Sequence, residues 1–156
     1  MGASHAPSSV FLICSSGTRL YALPIGHVIE TMRPLPAQTI PGMPSFMLGL
    51  SIIRGATAPV VHIARLMGDM IETPITRFVT IRLNKRIVAL AVDRVVGIRS
   101  LDAQVMVDVP LLLQAVDSSR VAAIGILDAE LLLVLQSTHV VSDAVWAALD
   151  TQALPA

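Results

Sequence analysis

Residues 11–32 read FLICSSGTRLYALPIGHVIETM, and residues 78–99 read FVTIRLNKRIVALAVDRVVGIR. The two segments align without a gap at a constant offset of 67 residues. Most aligned positions pair one apolar residue with another, and the identical pairs are Phe11 with Phe78, Arg19 with Arg86, Ala22 with Ala89, Leu23 with Leu90, and Val28 with Val95. Each copy is typical of two strands joined by a tight turn, with Gly17 and Asn84 suited to the turn. The pattern therefore predicts an internal duplication.

Each half continues with a second hairpin. Residues 48–63 are predicted as two strands around an Arg54-Gly55 turn, followed by a short helix that ends at Gly68. Residues 122–135 are predicted as two strands around residues 128–129, followed by a helix with Ser142 as its N-cap. We therefore predict one domain over residues 10–150, made of two repeated halves at 10–68 and 77–149. Whether strands are exchanged between the halves stays open, and residues 1–9 and 151–156 are predicted as flexible ends.

The fold class follows from the strands, which are short, antiparallel and apolar on both faces, as in residues 10–14 and 87–92. A lone small barrel would expose one of those apolar faces to water. We therefore predict a mostly β protein of two small barrels that pack together around a shared core, with little helix.

Composition excludes several classes of protein. Lys and Arg number 11 and Asp and Glu number 11, so we expect no binding to nucleic acid. A hydrophobic fraction of 54% excludes intrinsic disorder. The longest uncharged stretch, residues 34–53, contains four prolines and two glycines, so we expect no membrane insertion. Cys14 is the only cysteine and no signal peptide is evident, so we expect a cytoplasmic protein without a disulfide.

The sequence carries no recognisable catalytic or metal motif. It has no glycine-rich phosphate loop, no HExxH and no CxxC. His27 and Glu30 stand three residues apart, but one pair does not make a metal site. His62 follows an apolar strand and is expected to be a buried, hydrogen-bonded histidine or one at the strand's end. We expect no metal, no cofactor and no enzymatic activity, which leaves a binding module. The alternative is a small-ligand or enzymatic β-barrel, which would need a pocket with convergent polar groups.

Residues 41–66, PGMPSFMLGLSIIRGATAPVVHIARL, resemble the signature of the CheW-like family. That family carries a proline-rich approach, a glycine before the strand, an Asn-Leu-Arg-Gly turn, and a Pro-Val-Ile-Asp-Leu strand before a short helix. Residues 21–30, 86–95 and 125–135 are similar to other family elements, in the same order. The resemblance covers residues 10–149 approximately.

The resemblance implies both a fold and a function. The fold is two SH3-like, five-stranded β-barrels packed together with a few short helices. The function is a non-catalytic adaptor that couples chemoreceptors to the histidine kinase CheA in bacterial chemotaxis, at receptor arrays on the inner membrane. The length leaves room for neither a kinase nor a receiver domain, so a stand-alone adaptor is expected. The alternative within the family is a module of a non-flagellar sensory array, such as one for twitching motility.

The resemblance also implies a site for the chemoreceptor's cytoplasmic tip, in a groove where the two barrels meet. The residues that match it are Val28, Glu30, Gly49, Arg54 and Ile98. From the residues alone, a solvated turn arginine is the favoured interpretation of Arg54, while Glu30 is equally a partner of nearby Arg33 and Val28 is equally a core residue.

A second expected contact joins the adaptor to the CheW-like domain of the kinase, at Pro110, Leu111 and Leu112. Apolar residues on an exposed loop after a proline are typical of an interface, although the same loop could fold back onto the core.

Three departures from the family pattern concern specificity. Residues 51–53 read Ser-Ile-Ile where the family has Asn-Leu before the arginine, His62 stands in the place of an aspartate, and Ala89 in the place of a glycine. These differences bear on which receptors and which pathway are served.

Overall fold

The computed structural model describes residues 8–69, 73–102, 106–107, 121–127, 130–135 and 140–152. Strands dominate, which confirms the mostly β prediction. They are β1 (Ser8–Ser16), β2 (Arg19–Pro24), β3 (Val28–Met32), β4 (Met47–Ile53), β5 (Ala56–His62), β6 (Arg77–Leu83), β7 (Arg86–Val92), β8 (Arg94–Asp102), β9 (Met106–Val107), β10 (Val121–Leu127) and β11 (Glu130–Leu135). The helices are α1 (Ile63–Leu66) and α2 (Asp143–Gln152), and a 3₁₀ turn covers Ile25–His27.

Two boundaries differ from the sequence prediction. β1 begins at Ser8 and α2 extends to Gln152, so each element reaches two residues into an end predicted as flexible. Ser8 pairs with Asp102 across the sheet, which gives the start of β1 a partner. The predicted turn at residues 128–129 lies outside the described residues. No helix in the described part of the chain is long and apolar enough to cross a bilayer.

The strands form two sheets, and each sheet combines strands from both halves. The six-stranded sheet has the order β8-β1-β2-β11-β10-β9, and the five-stranded sheet has the order β3-β6-β7-β5-β4. The first hairpin, β1–β2, therefore lies among strands of the second half, and the second hairpin, β6–β7, lies among strands of the first half. The short β9 adds the sixth strand, and its counterpart in the other sheet is a single bridge between Gln38 and Leu50.

Strand registers repeat between the two sheets at the sequence offset of 67 residues. Phe11 faces Pro24 in β1–β2, and Phe78 faces Ala91 in β6–β7. Each hairpin also pairs on its outer side with an antiparallel strand, β1 with β8 and β6 with β3. Both pairings contain one register shift, and the two shifts lie at equivalent positions. Each hairpin is joined on its other side to a parallel strand, β11 in one sheet and β5 in the other.

Three apolar clusters make up the core of the described part of the chain. One lies inside each sheet: Phe11, Ile13 and Leu132 belong to the first, and Phe78 and Val60 to the second. The third and largest lies between the sheets; its members include Leu12, Cys14, Tyr21 and Leu23 from one sheet and Val61, Val79, Ile81 and Leu90 from the other. Burying each large apolar side chain stabilises the fold by about 1.5–3 kcal/mol. Alternate residues of β1 enter different clusters, which explains why these strands are apolar on both faces.

His62 ends β5 and caps α1. Its side chain is 3% exposed, and its Nδ1 accepts a hydrogen bond from the backbone N–H of Arg65 at 3.2 Å. Burial, followed by the nearby charge of Arg65, lowers the pKa of His62. The prediction of a buried, hydrogen-bonded histidine at a strand end is confirmed. Ser142 caps α2 as predicted, since its Oγ accepts from the N–H of Val145 at 3.3 Å.

Candidate functional site

Glu30 and Arg54 form a two-pronged ion pair across the five-stranded sheet. Arg54 Nε donates to Glu30 Oε2 at 2.6 Å, and Arg54 Nη2 donates to Glu30 Oε1 at 2.8 Å. Glu30 lies on β3 and Arg54 follows β4, and these strands are the two edges of the sheet. The pair therefore joins the two edges, which shows that the sheet curls until its edges approach each other.

The turn after β4 determines where Arg54 points. Only two residues, Arg54 and Gly55, connect β4 to β5, and both have positive φ, +52° and +79°. Two-residue hairpins with positive φ at both positions follow the twist of their strands, and glycine accepts this backbone without strain. Arg54 is thereby held at the end of a rigid hairpin, with 71% of its side chain exposed.

The ion pair favours the charged form of both groups. The hydrogen bond from Arg54 lowers the pKa of Glu30, and the hydrogen bond to Glu30 raises the pKa of Arg54. Only 25% of the Glu30 side chain is exposed, so it supports the guanidinium from the inner side. Arginine has five N–H donors, and this contact uses two of them. Three donors on the exposed guanidinium therefore have no acceptor among the residues that the structure describes and remain for another one.

Gly49 lies where a loop crosses the edge of β4. Its φ is +143°, and a Cβ at this position would lie 2.2 Å from the carbonyl oxygen of Gln38. Gln38 and Leu50 exchange two backbone hydrogen bonds of 2.8 and 2.9 Å beside it, and Ser51 Oγ donates to the carbonyl of Pro36 at 2.8 Å. The structure thus gives Gly49 a packing role, because it lets residues 36–39 approach the strand.

Val28 and Ile98, the other two receptor positions implied by the sequence, lie in different sheets. Val28 is half-buried, pairs with Ile81 on β6 and packs against the core between the sheets. Ile98 lies on β8 of the six-stranded sheet, faces Leu12 and is 57% exposed. The ion pair itself belongs to the five-stranded sheet.

Two exposed isoleucines were missed as site candidates by the sequence reasoning. Ile52, on β4 two residues before Arg54, is 74% exposed, and Ile29, next to Glu30 on β3, is 39% exposed. The signal for Ile52 lies in the strand's alternation, because Ile53 is buried at 2% and its neighbour must face outward. The Glu30–Arg54 contact was also missed, since the sequence offered Arg33 as the nearer partner.

The expected kinase contact at Pro110, Leu111 and Leu112 lies outside the described residues. Within the ranges that are described, no three His, Cys, Asp or Glu side chains gather in a way that could hold a metal ion. His27 and Glu30 flank Val28 and Ile29 on the chain, and the Glu30 carboxylate is engaged by Arg54.

Comparisons with known proteins give one consistent result. The family model described as the CheW-like domain matches residues 10–145. "Chemotaxis protein CheW" of Helicobacter pylori is 29% identical over 80 residues, covering 50% of this chain and 48% of that protein. "Probable chemotaxis protein CheW" of Rhizobium etli is 30% identical over 113 residues, covering 71% of this chain and 72% of that protein. The chain thus matches about half the length of the first relative and nearly three quarters of the second.

A solved structure is similar as well. It is the scaffolding protein TtCheW from Thermoanaerobacter tengcongensis, with a TM-score of 0.76 and 20% sequence identity. The superposition covers 89% of this chain and 96% of that chain. This likeness confirms the fold, including the SH3-like pairing of two sheets.

Proposed function

The chain belongs to the CheW-like domain family, and from this premise we propose that it is a non-catalytic chemotaxis adaptor that couples chemoreceptors to the histidine kinase CheA. The observation that carries the proposal is the Glu30–Arg54 ion pair. It places a guanidinium, with three donors that no described residue uses, on an exposed, rigid turn. A planar donor group of this kind suits the carboxylates and backbone carbonyls of a protein partner.

Glu30 acts in this proposal by orienting Arg54. A free arginine side chain has many rotamers, and binding must freeze them at a cost of about 0.5–1.5 kcal/mol for a rotamer-rich side chain. The two hydrogen bonds from Glu30 already restrict the guanidinium before a partner arrives. The receptor then meets a donor group in its bound orientation, which favours affinity.

Ile52 and Ile29 supply exposed apolar surface on β4 and β3, the two edge strands that the ion pair joins. Interfaces commonly combine a charged or aromatic anchor with apolar contacts that exclude water from it. We place the receptor tip against this surface, with Arg54 as its polar anchor and Ile52 as its apolar one. Val28 and Gly49 would then shape the surface from beneath rather than contact the receptor.

The kinase contact at Pro110, Leu111 and Leu112 remains a prediction from the resemblance. The same holds for the cytoplasmic location at receptor arrays. Both follow from the proposed role as an adaptor, in which one protein must bind a receptor and a kinase through separate surfaces.

The test is a binding titration with a purified chemoreceptor tip, beside thermal melts, for wild type, Arg54→Ala, Arg54→Lys and Glu30→Gln. Arg54→Ala should weaken receptor binding about thirtyfold, as for a central interface arginine, while its melting temperature stays within about 2 °C of wild type. Arg54→Lys should restore only part of the affinity, because an ammonium cannot reproduce the planar fork. Glu30→Gln should give a smaller loss, since it weakens only the orientation of Arg54.

Arg77→Ala is the matched control, since Arg77 is exposed on the same sheet and, among the residues that the structure describes, its side chain donates to the carbonyl of Thr76 alone. It should bind the receptor tip like wild type. If Arg54→Ala also binds like wild type, the site assignment is wrong. If Arg54→Ala instead lowers the melting temperature sharply, the arginine holds the sheet together and is not a binding residue.

A further inference from the structure

A cleft of about 520 Å³ lies between the β6–β7 turn and α2. The lining residues that matter for its chemistry are Arg82, Leu83, Lys85, Arg86, Asp143 and Trp146. Its volume falls within the range of about 300–1,000 Å³ seen for ligand-binding clefts. It lies away from the Arg54 turn in sequence and uses a different set of side chains.

Positive charge is concentrated at this turn. Three of the 11 basic residues of the chain, Arg82, Lys85 and Arg86, fall within five consecutive positions, although only 14% of all residues are charged. Arg82 and Lys85 are exposed and form no ion pair with any residue the structure describes. Two uncompensated cations on one rim attract an anionic partner.

Arg86 and Trp146 form the rigid wall of the cleft. The Arg86 guanidinium lies 4.5 Å from the centre of the Trp146 ring and donates to both carboxylate oxygens of Asp150, at 2.8 and 2.7 Å. Trp146 in turn packs against the core between the sheets. Since Arg86 is already neutralised by Asp150, it holds α2 in place rather than attracting a ligand. The indole contributes a preformed apolar surface.

We propose that this cleft binds an acidic peptide segment of a partner protein, with carboxylates on Arg82 and Lys85 and an apolar side chain against Trp146. The charge distribution favours a peptide over a phosphate group. Asp143 lines the same cleft and would repel a dianion, whereas a peptide can place single carboxylates on the basic rim and its neutral or N–H-bearing parts near Asp143. The surface is thus a second docking site, independent of the receptor site proposed at Arg54.

The single tryptophan of the chain makes the test direct, because its fluorescence reports on this cleft alone. The full-length protein is titrated with a capped ten-residue peptide of glutamate, leucine and serine, and with the same peptide carrying glutamine in place of glutamate. The acidic peptide should give a saturable change in Trp146 emission that weakens as NaCl rises from 0.05 to 0.5 M. The glutamine peptide should give none.

Variants and competitors test whether Arg82 and Lys85, the basic rim of the cleft, are responsible for binding the acidic peptide. Arg82→Gln together with Lys85→Gln should weaken the acidic peptide about tenfold, as expected for the loss of two exposed charge contacts, while Arg77→Gln should leave it unchanged. No saturable change in emission, or an equal change with both peptides, would overturn the proposal. Inorganic phosphate that displaces the peptide at comparable concentration would also overturn it, in favour of a small-anion site. Receptor-tip binding by the double variant should stay at the wild-type level, so failure here leaves the Arg54 site untouched.

Discussion

Replacing Gly49 with alanine should destabilise the protein through crowding at the edge of β4. The new Cβ would lie 2.2 Å from the Gln38 carbonyl oxygen and 3.0 Å from the Thr39 nitrogen, both of them backbone atoms. To relieve this overlap, residues 36–39 must move away from β4. That movement breaks the two hydrogen bonds between Gln38 and Leu50, and each loss lowers the free energy of unfolding by about 1 kcal/mol. The φ of +143° adds about 1–3 kcal/mol of strain for a residue with a Cβ.

The sum is about 3–5 kcal/mol, and a domain of this size loses roughly 2–4 °C of melting temperature per kcal/mol. We therefore expect Gly49→Ala to melt about 10 °C below wild type in circular dichroism. Gly42→Ala is the matched control, because Gly42 also has a positive φ, +82°, but a Cβ there would meet nothing within 4 Å. That variant should carry only the backbone strain, about 1–2 kcal/mol, and melt roughly 4 °C below wild type.

Comparing Gly49→Ala with Gly42→Ala separates a packing role of Gly49 from a receptor-binding role. If Gly49→Ala melts within about 2 °C of Gly42→Ala, the crowding argument fails. If Gly49→Ala is stable but no longer binds the receptor tip, then Gly49 touches the receptor itself, as the family resemblance implied. Our reasoning predicts the opposite: the receptor affinity of the fraction that remains folded should be close to that of wild type.

Three further predictions use single side chains. Burial, and then Asp93, raise the pKa of Cys14 to about 12, so Ellman's reagent at pH 8 should detect no thiol in the native protein and one thiol per chain in guanidinium chloride. The pKa of His62 is lowered by burial and by Arg65, so the folded state should be fully stable above pH 6.5 and lose stability as pH falls towards the folded pKa. His62→Asn keeps an acceptor for the α1 cap, and its melting temperature should change less than that of wild type between pH 7.5 and 5.5. If the melting temperatures of both proteins fall equally with pH, His62 is not the source of the pH dependence. Ile52→Thr should shift the melting temperature by at most about 2 °C, because the side chain is exposed, yet weaken receptor-tip binding several-fold in titration; unchanged binding would remove Ile52 from the proposed surface.

Much of the fold could be predicted because the repeat and the apolar pattern are local properties of the sequence. The gapless alignment of residues 11–32 with 78–99 identified both hairpins, and their observed registers match at the same offset. Because these strands are apolar on both faces, each sheet needs a second sheet to cover its outer apolar face. The apolar cluster between the two sheets shows this packing. Turn residues such as Gly17 and Asn84 mark the hairpin ends, and both have positive φ.

The features that escaped prediction depend on which strands become neighbours. Periodicity shows that a segment is a strand, but it does not show that β2, already paired with β1, takes β11 on its other side rather than a further strand of its own half. For the same reason, sequence proximity favours Arg33 as the partner of Glu30. Arg54 reaches Glu30 only because the sheet curls and brings its edge strands together. Ile52 could have been found from strand alternation, once Ile53 was assigned to the interior.

The placement of β1–β2 among strands of the second half has a consequence for synthesis on the ribosome. The five-stranded sheet is complete once β7 has emerged, at Val92, whereas the six-stranded sheet must wait for β11, which ends at Leu135. The hairpin that is translated first is therefore among the last to find its partners. At about 5–20 residues per second, the interval from Pro24 to Leu135 lasts roughly ten seconds. During that time the β2 edge of the apolar hairpin lacks its native neighbour β11, and the β1 edge lacks β8 until Asp102 has been synthesised, so the nascent chain must be protected from misassociation for the whole interval.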